Sequence, residues 1–341
     1  MRLFFILSIS LYSSLLFGQS NKNHFTQIVD SVISKSKEIS LYSNSVNWDS
    51  LSIKMYSSSK NAKSMNDLKP AFEILLNGLR DHHGKIRKTS NYSILANFTD
   101  LQNSRNNDTR KFDSEIWGIV NNIDARFEYE ILPRNVGYLK VVGVGPNIDG
   151  QKEAERIRNA ISKLNNNKVK EWIIDLRYNG GGNINVMLAG LAPLLDIKNV
   201  LSIQDENGNK LITAEIKEGE FWYDGINVFK INNNPKIRNS KIAILTSRWT
   251  WSSGEFIAIA FKGQKNTMFF GEETGGYTTN NSWEVINNEI ALVISTGIYC
   301  DRNGNMYVQN VKPDKEVIFV VEYNKQKDGG IIEAINWLKQ K

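Results

Sequence analysis

The 341-residue sequence contains a single cysteine, Cys300, so no disulfide can form within the chain. Cys300 ends an apolar strand-like stretch, which predicts a buried side chain. The sequence also has only three histidines, two of which are the neighbours His82 and His83. Adjacent side chains point in different directions, and no cluster of cysteine or histidine completes a ligand set with them. The sequence therefore predicts no metal site.

Neither basic nor acidic residues are concentrated in one part of the sequence. The chain has 42 lysines and arginines against 36 aspartates and glutamates, a formal net charge of +6, and the excess is spread along the sequence. A nucleic-acid-binding surface requires basic residues clustered on one face, so no nucleic-acid partner is predicted. With 41% apolar and 23% charged residues, the composition is typical of a globular protein with a sizeable core.

Long hydrophobic runs are also lacking, apart from one near the start. The apolar stretch from Phe4 to Phe17 follows the charged Arg2 and is too short to span a bilayer comfortably. Gly18 then offers a small residue before polar sequence, as at a cleavage site. Residues 1–18 are predicted to be a signal peptide, which gives an exported protein, periplasmic or secreted, with no membrane span after cleavage. An uncleaved membrane anchor is the alternative.

The remaining sequence divides by its periodicity. Apolar residues at helical spacing dominate residues 19–110, which are predicted to form a mainly helical subdomain. In residues 111–341, continuous apolar runs alternate with helical patterns, as in an α/β fold with buried strands. The third predicted helix of the first part, with a cap at Asn66 and Pro70 in its first turn, leads directly to Asp81-His82-His83.

The stretch Trp249-Thr250-Trp251-Ser252-Ser253-Gly254-Glu255 lies between an apolar strand pattern and a helical pattern. A serine at such a junction lies on a sharp turn, with its hydroxyl outward and the next backbone amide facing the same space. A nucleophilic serine needs this geometry, because preset donors must meet the oxyanion. The alternative is an ordinary helix cap.

Two further segments could complete a site for acyl transfer. His83 follows a helix, and Gly180-Gly181-Gly182 follow the buried strand pattern that ends at Leu176. Taken alone, the histidines could be surface residues at a helix end, and the glycines could form a tight turn. A phosphate loop is not indicated, since Gly-Lys-Ser/Thr is missing and the spacing differs from a dinucleotide fingerprint. No cofactor is predicted.

Four ordered motifs resemble the carboxyl-terminal processing (tail-specific) and tricorn-like serine peptidases, over about residues 70–320. They are Asp175-Leu176-Arg177-Tyr178-Asn179-Gly180-Gly181, Thr250-Trp251-Ser252-Ser253-Gly254-Glu255, Gly271-Glu272-Glu273-Thr274-Gly275-Gly276 and Lys312-Pro313-Asp314. The resemblance implies a ClpP/crotonase-like α/β peptidase core. It also implies that Ser252 is the nucleophile, and that the amides of Ser253 and of Gly180 or Gly181 form the oxyanion hole.

The sequence differs from the tail-specific branch in the residue available as the general base. That branch places a lysine shortly after the Gly-Glu-x-Thr motif, where this chain has Tyr277. The tricorn-like branch uses a histidine from an Asp-x-His motif, which aligns with His83. That branch orients its histidine with a glutamate before the closing Pro-Asp, and the nearest match here is Gln309. The resemblance thus implies Ser252, His83 and Gln309 as the catalytic set.

The second departure is the length of the segment between Asp81-His82-His83 and the core. About 50 residues separate Gly84 from Val136, too few for a full-sized domain, so the PDZ domain common in the family is predicted to be missing. Peptide selection would then depend on the groove itself. Aromatic residues are the candidates for lining it, namely Trp251, Tyr277, Phe221, Trp222 and Tyr223.

The resulting prediction is an exported serine peptidase that acts on peptides or proteins through an acyl-enzyme on Ser252. Two alternatives stay open. A decayed triad would leave a peptide- or ligand-binding protein on the same fold, and an intact one could hydrolyse a non-peptide ester or amide. The sequence gives no oligomeric state.

Overall fold

A computed structural model of the chain describes residues 24–99, 114–121, 127–167, 169–196, 198–237 and 239–340. The predicted signal peptide lies outside these residues, as does the predicted domain boundary at 110. Among the described helices, none is long and apolar enough to cross a membrane.

The helices, numbered here in chain order over the described residues, are α1 (His24–Ile39), α2 (Trp48–Ser59), α3 (Lys69–Leu79), α4 (Ser114–Asn121), α5 (Gly150–Asn166), α6 (Ile184–Leu191), α7 (Ser253–Phe261) and α8 (Gly329–Leu338). Short 3₁₀ helices cover Ser43–Ser45, Met65–Leu68 and Ala192–Leu194.

The strands are β1 (Lys85–Lys88), β2 (Ile94–Asn97), β3 (Glu128–Leu132), β4 (Val136–Lys140), β5 (Glu171–Asp175), β6 (Lys198–Gln204), β7 (Lys210–Lys217), β8 (Glu220–Tyr223), β9 (Ile226–Asn227), β10 (Ile242–Thr246), β11 (Thr267–Gly271), β12 (Thr279–Val285), β13 (Ile290–Asp301) and β14 (Lys315–Glu316).

Local sequence accounts for most of these boundaries. The Asp149 side chain accepts from the Lys152 amide and begins α5, as its position before an apolar helical face predicts. Asn207-Gly208 lies in the turn that joins β6 to β7. The predicted cap at Asn66 is wrong. Asn66 lies inside a 3₁₀ helix that Ser64 and Asp67 cap reciprocally, and α3 follows directly from it.

One six-stranded sheet has the order β14-β11-β10-β5-β4-β3. Strand β10 lies parallel between β5 and β11, with Leu245 opposite Asp175. Both β5 and β10 read as unbroken apolar runs because helices or strands cover both faces of this sheet. Parallel strands end at the same edge, so the loops after β5 and β10 begin side by side.

The second sheet is built around the long strand β13. It pairs antiparallel with β1, β6 and β12 along different parts of its length. Strands β1 and β2 belong to the segment predicted to be a helical subdomain, yet β1 pairs with β13 of the core. The N-terminal helices α1–α3 pack on this junction through an apolar cluster that includes Phe72 and Ile294.

The main hydrophobic core lies between the two sheets. It contains the buried faces of α5, α6 and α7 together with residues of β4, β5, β6 and β10. A smaller cluster joins the other face of the six-stranded sheet to α8. Cys300 is fully buried, as its strand pattern predicts.

Candidate active site

Two loops from neighbouring strands meet at the edge of the six-stranded sheet. The glycine-rich loop follows β5, and the serine segment follows β10. The Trp251 amide donates to the Asn179 carbonyl over 2.9 Å, which joins the two loops directly. A Cβ atom at Gly254 would lie 2.5 Å from that same carbonyl, so glycine is required for this approach. The fold therefore brings the serine and glycine motifs together.

Ser252 occupies a strained turn between β10 and α7. Its backbone has φ 51° and ψ −121°, a conformation that non-glycine residues rarely adopt. Such a turn ends the strand and begins the helix with the serine side chain at the apex, as in a nucleophile elbow. A Cβ atom at Gly181 would lie only 2.9 Å from the Ser252 Cβ, so the glycine loop packs against the nucleophile candidate.

The His83 ring lies next to the Ser252 hydroxyl. The Nε2 atom is 3.1 Å from Ser252 Oγ, which is hydrogen-bonding distance. Helix α3 ends at Leu79, and Arg80 then adopts a left-handed conformation that turns the chain towards β1. His83 lies in this turn, so α3 and β1 fix its position from both sides. His82 instead is exposed, with its ring 4.2 Å from Phe98.

The second ring nitrogen of His83 contacts Thr279 at the start of β12. Nδ1 lies 3.0 Å from the Thr279 carbonyl oxygen and 3.1 Å from Thr279 Oγ1. A carbonyl can only accept, so Nδ1 carries the proton and Nε2 presents its lone pair to Ser252. Thr279 could not be identified from the sequence, since nothing in its local pattern distinguishes it from Thr278.

Gln309 is not placed at the ring. It is exposed on the segment between β13 and β14, and its carbonyl faces Gly276. In this structure Thr279, not Gln309, provides the two acceptors that share the single Nδ1 proton. The position of the family's glutamate in the sequence does not determine which group reaches the ring here.

The surroundings keep His83 neutral. Burial and, to a smaller extent, the nearby charge of Lys85 together lower the pKa of the imidazole to about 3, although the hydrogen bond to Thr279 acts in the opposite direction. Burial also lowers the pKa of Lys85 to about 8. A neutral imidazole with a free lone pair on Nε2 can accept a proton from Ser252.

The backbone amides predicted for an oxyanion hole differ in their availability. Ser253 is the first residue of α7, and its amide has no partner among the described residues, as expected at a helix N-terminus. The Gly181 amide donates to Asn179 Oδ1 over 2.9 Å. The amide of Gly180 has no partner in the described part of the chain. Of the two, only the Gly180 amide is thus available as a second donor.

The Glu255 side chain is hydrogen-bonded both to the Ser252 turn and to the loop after β11. Its carboxylate accepts from the amides of Ser252, Gly276 and Tyr277 at 3.0, 2.8 and 2.6 Å and from the Thr274 hydroxyl at 2.5 Å. The pKa of Glu255 is raised to about 7, because the effect of burial exceeds that of the four donors, each of which lowers the pKa. Glu255 therefore ties the Ser252 turn to the loop that leads to Thr279.

Aromatic rings surround the serine–histidine pair. The Tyr277 ring lies 5.3 Å from the His83 ring and 5.8 Å from that of Trp251, which in turn lies 5.6 Å from Trp117 on α4. Trp251 and Tyr277 thus line the site. Phe221 cannot line a groove, because it is wholly buried in the main core. Trp222 and Tyr223 lie half-buried on β8.

No group of three or more histidine, cysteine, aspartate or glutamate side chains that could hold a metal is found among the described residues.

Residues 135–317 match the family described as peptidase family S41. The chain belongs to peptidase family S41. This confirms the resemblance drawn from the four motifs.

Individual relatives agree with this assignment. The nisin-resistance protein of Lactococcus lactis subsp. lactis is 32% identical over 179 residues, which are 52% of either chain. The aligned part thus spans about half of that relative.

Solved structures share the fold over most of the chain. A lipoprotein from Streptococcus agalactiae has a TM-score of 0.66 and 23% identity, covering 92% of this chain and 95% of its own. A photosystem II D1 C-terminal processing protease has a TM-score of 0.57 and 13% identity, and the match covers 87% of this chain and 94% of that protease. The α/β peptidase fold with an N-terminal helical region is confirmed.

Proposed function

We propose that this S41 chain is a serine peptidase that hydrolyses peptide bonds through an acyl-enzyme on Ser252, with His83 as general base. The contact of 3.1 Å between His83 Nε2 and Ser252 Oγ, at a strained elbow, carries the proposal. The pair has the nucleophile–base geometry of a serine hydrolase, and Thr279 orients the base from its other nitrogen. Tyr277 occupies the place where a lysine base would stand.

The reaction needs only these groups and water. Ser252 Oγ bonds to the carbonyl carbon of the substrate while its proton moves to His83 Nε2. The carbonyl oxygen becomes an oxyanion that the amides of Ser253 and Gly180 face as donors. The C–N bond then breaks, and the same proton passes to the leaving amine. Water repeats the sequence on the acyl-enzyme, giving the free acid and restoring Ser252.

The aromatic rings beside the pair suggest the substrate class. Trp251, Tyr277 and Trp117 form an apolar wall next to the reacting atoms, which suits hydrophobic residues of a peptide in extended form. The relative named for resistance to nisin makes nisin a first compound to test as a substrate.

Labelling by a fluorophosphonate probe tests the proposal, because the probe reacts only with an activated serine. We expect mass spectrometry to find the label on Ser252, and Ser252→Ala to abolish both labelling and peptide cleavage. Ser253→Ala serves as the matched variant: it keeps the backbone amide and loses only a hydroxyl bonded to the Gly182 carbonyl. A label on Ser253, or no label at all, would contradict the proposal.

Assays with a peptide library and with simple esters distinguish a peptidase from an esterase and from a binding protein. Cleavage of peptides by unlabelled protein, once the probe has shown its serine to be activated, supports a peptidase, whereas turnover of simple esters alone indicates an esterase. A protein that binds peptides without labelling would be a binding protein on a peptidase fold.

We also propose that the protein is exported, with residues 1–18 removed as a signal peptide and residues 19–110 forming a subdomain before the core at 111–341. The short apolar stretch that ends before Gly18 supports export. N-terminal sequencing of protein from its native host should find a start near Gln19. An intact Met1 in the membrane fraction would identify an anchor instead.

A further inference from the structure

A continuous chain of hydrogen bonds runs from the His83 ring to a buried carboxylate. Thr279 Oγ1 is 3.1 Å from His83 Nδ1 and 2.8 Å from Ser295 Oγ. Ser295 Oγ in turn lies 2.7 Å from Asp81 Oδ1. Asp81 is fully buried and follows α3, only two residues before His83. Two hydroxyl groups thus connect the His83 ring to a carboxylate that binds the backbone of His83 but not its ring.

The contacts of Asp81 match the ionised form. Besides the Ser295 hydroxyl, its oxygens accept from the backbone amides of Ser295, His83 and Gly84, at 2.9, 3.1 and 2.9 Å. All four groups are donors, and an ionised carboxylate accepts from all of them. Burial still raises the pKa of Asp81, and these donors partly offset that effect.

The direction of every bond in the chain follows from that carboxylate. Ser295 donates its single hydroxyl proton to Asp81, since that contact of 2.7 Å is shorter than its 3.2 Å contact with Asn281 Oδ1. Ser295 Oγ can then only accept, so Thr279 donates to it. Thr279 Oγ1 likewise accepts from His83 Nδ1. The chain therefore places the Nδ1 proton and leaves the lone pair of Nε2 for Ser252.

We propose that Asp81 is the anionic member of this active site and acts on His83 through the hydroxyls of Ser295 and Thr279, in place of a carboxylate in direct contact. This inference depends on the proposed function. No proton travels along the chain. When Nε2 takes the Ser252 proton, the ring becomes positive, and the aligned hydroxyl dipoles and the Asp81 charge stabilise it.

Asp81 also shapes the turn that carries His83, through the amides of His83 and Gly84. A change at Asp81 itself therefore cannot separate a structural from an electrostatic role. The two hydroxyls can do so. Removing the Ser295 hydroxyl leaves its backbone bond to Asp81, and removing Thr279 Oγ1 leaves the Thr279 carbonyl on Nδ1.

The experiment compares Ser295→Ala, Thr279→Val and their double variant with Thr279→Ser, which keeps the hydroxyl. Thr296→Val is the matched control, because Thr296 lies on the same strand as Ser295 and its hydroxyl bonds, among the described residues, only to Asn280. Urea unfolding establishes that each variant is folded. Activity is measured as kcat and KM on a cleaved peptide and as the rate of fluorophosphonate labelling.

We expect each single variant to lose about 10-fold to 100-fold in kcat and in labelling rate with KM little changed, since groups that hold a reacting ligand in place have effects of that order. The double variant should lose no more than the worse single variant, because either change interrupts the same chain. Thr279→Ser should recover most of the loss, and Thr296→Val should match the wild type.

A second measurement is independent of activity. The chain has three histidines, so the imidazole N–H resonances of a ¹⁵N-labelled sample can be assigned by substitution. Ser295 does not touch His83, yet Ser295→Ala should move the His83 Nδ1 proton upfield, because Thr279 becomes a weaker acceptor. If the wild type is not labelled by the probe, the proposed function fails while this test of the chain still stands.

Three results would overturn the inference. The first is folded Ser295→Ala and Thr279→Val proteins with wild-type kcat and labelling rate. The second is a double variant whose loss is the product of the single losses, which would mean that the hydroxyls act separately. The third is a His83 Nδ1 resonance unchanged by Ser295→Ala.

Discussion

At the scale of single residues, the site depends on neighbours in sequence that face different surroundings. His83 is buried against Ser252, whereas His82 is exposed beside Phe98. Thr279 bonds the His83 ring, whereas the adjacent Thr278 has a buried hydroxyl with no partner among the described residues. In both pairs, a shift of one position along the chain decides whether the side chain belongs to the site.

The acid limb of activity is predicted to lie well below the pKa of a free imidazole, roughly 6.5. Burial lowers the pKa of His83 to about 3, and the ring can accept the Ser252 proton only while it is unprotonated. As pH falls through the folded-state pKa, the ring gains a proton and turnover declines. The measurement is kcat/KM against pH, with folding followed by circular dichroism.

His83→Ala should reduce turnover by about 10³-fold or more, as expected when the base of such a unit is removed. The matched variant His82→Ala should change it little. Lys85→Met should move the acid limb upward, because it removes a positive charge that disfavours ring protonation. A midpoint at 6.5 or above in the wild type, or an active and folded His83→Ala protein, would contradict this assignment.

At the scale of elements, α7 and the loop after β11 are joined through Glu255. The sequence accounts for an acid in the first turn of a helix by the helix dipole alone. The structure adds three contacts to residues 274–277, which continue into β12 and Thr279. One carboxylate therefore holds the nucleophile turn against the segment that orients the base.

Glu255→Gln should destabilise the protein by about 2–4 kcal/mol. Its Oε2 accepts from the amides of Ser252 and Tyr277, and an amide nitrogen there would face two donors, each unsatisfied group costing about 1–3 kcal/mol. Urea unfolding measures the change. Glu273→Gln, in the same loop and partly exposed, is the matched control and should change stability by less than about 1 kcal/mol. Equal effects of the two substitutions would argue against this role.

At the scale of the whole molecule, a buried ion cluster joins the end of β5 to the C-terminal helix. The Arg177 guanidinium donates to Asp175 and to Asp328, with contacts of 2.7–2.9 Å, and the Tyr138 hydroxyl donates to Asp175. The Arg177 charge holds the pKa of Asp175 below its usual range, against the effect of burial. Asp328 also caps α8 by accepting from the Ile331 amide.

Asp328→Asn should lower the free energy of unfolding by about 3–5 kcal/mol, because it removes one partner of a buried ion pair. The comparison is Glu333→Gln on the same helix, which breaks an exposed pair with Lys315 and should cost less than about 1 kcal/mol. Thermal and urea unfolding of both variants would decide it. A loss at Asp328 no larger than that at Glu333 would mean that the cluster does not hold α8.

The sequence by itself determined the central strands β5 and β10, the helix α5 and the two loops of the site. Strands such as β5 and β10 are continuous apolar runs, and α5 has its cap and its apolar face in local sequence, so periodicity was sufficient to find them. Motif spacing selected Ser252 and His83, which the structure places 3.1 Å apart. These features are local, or belong to motifs that keep their order along the chain.

Only the tertiary structure decided which residues connect the His83 ring to a buried carboxylate. Asp81, Thr279 and Ser295 come from a helix end and two strands, and they are up to 214 positions apart in sequence. No local pattern brings them together, since the pairing of β12 with β13 and the packing of α3 create the contact. Gln309 occupied the expected position in sequence but an exposed position in space, because hydrogen bonds depend on distances that only the folded chain sets.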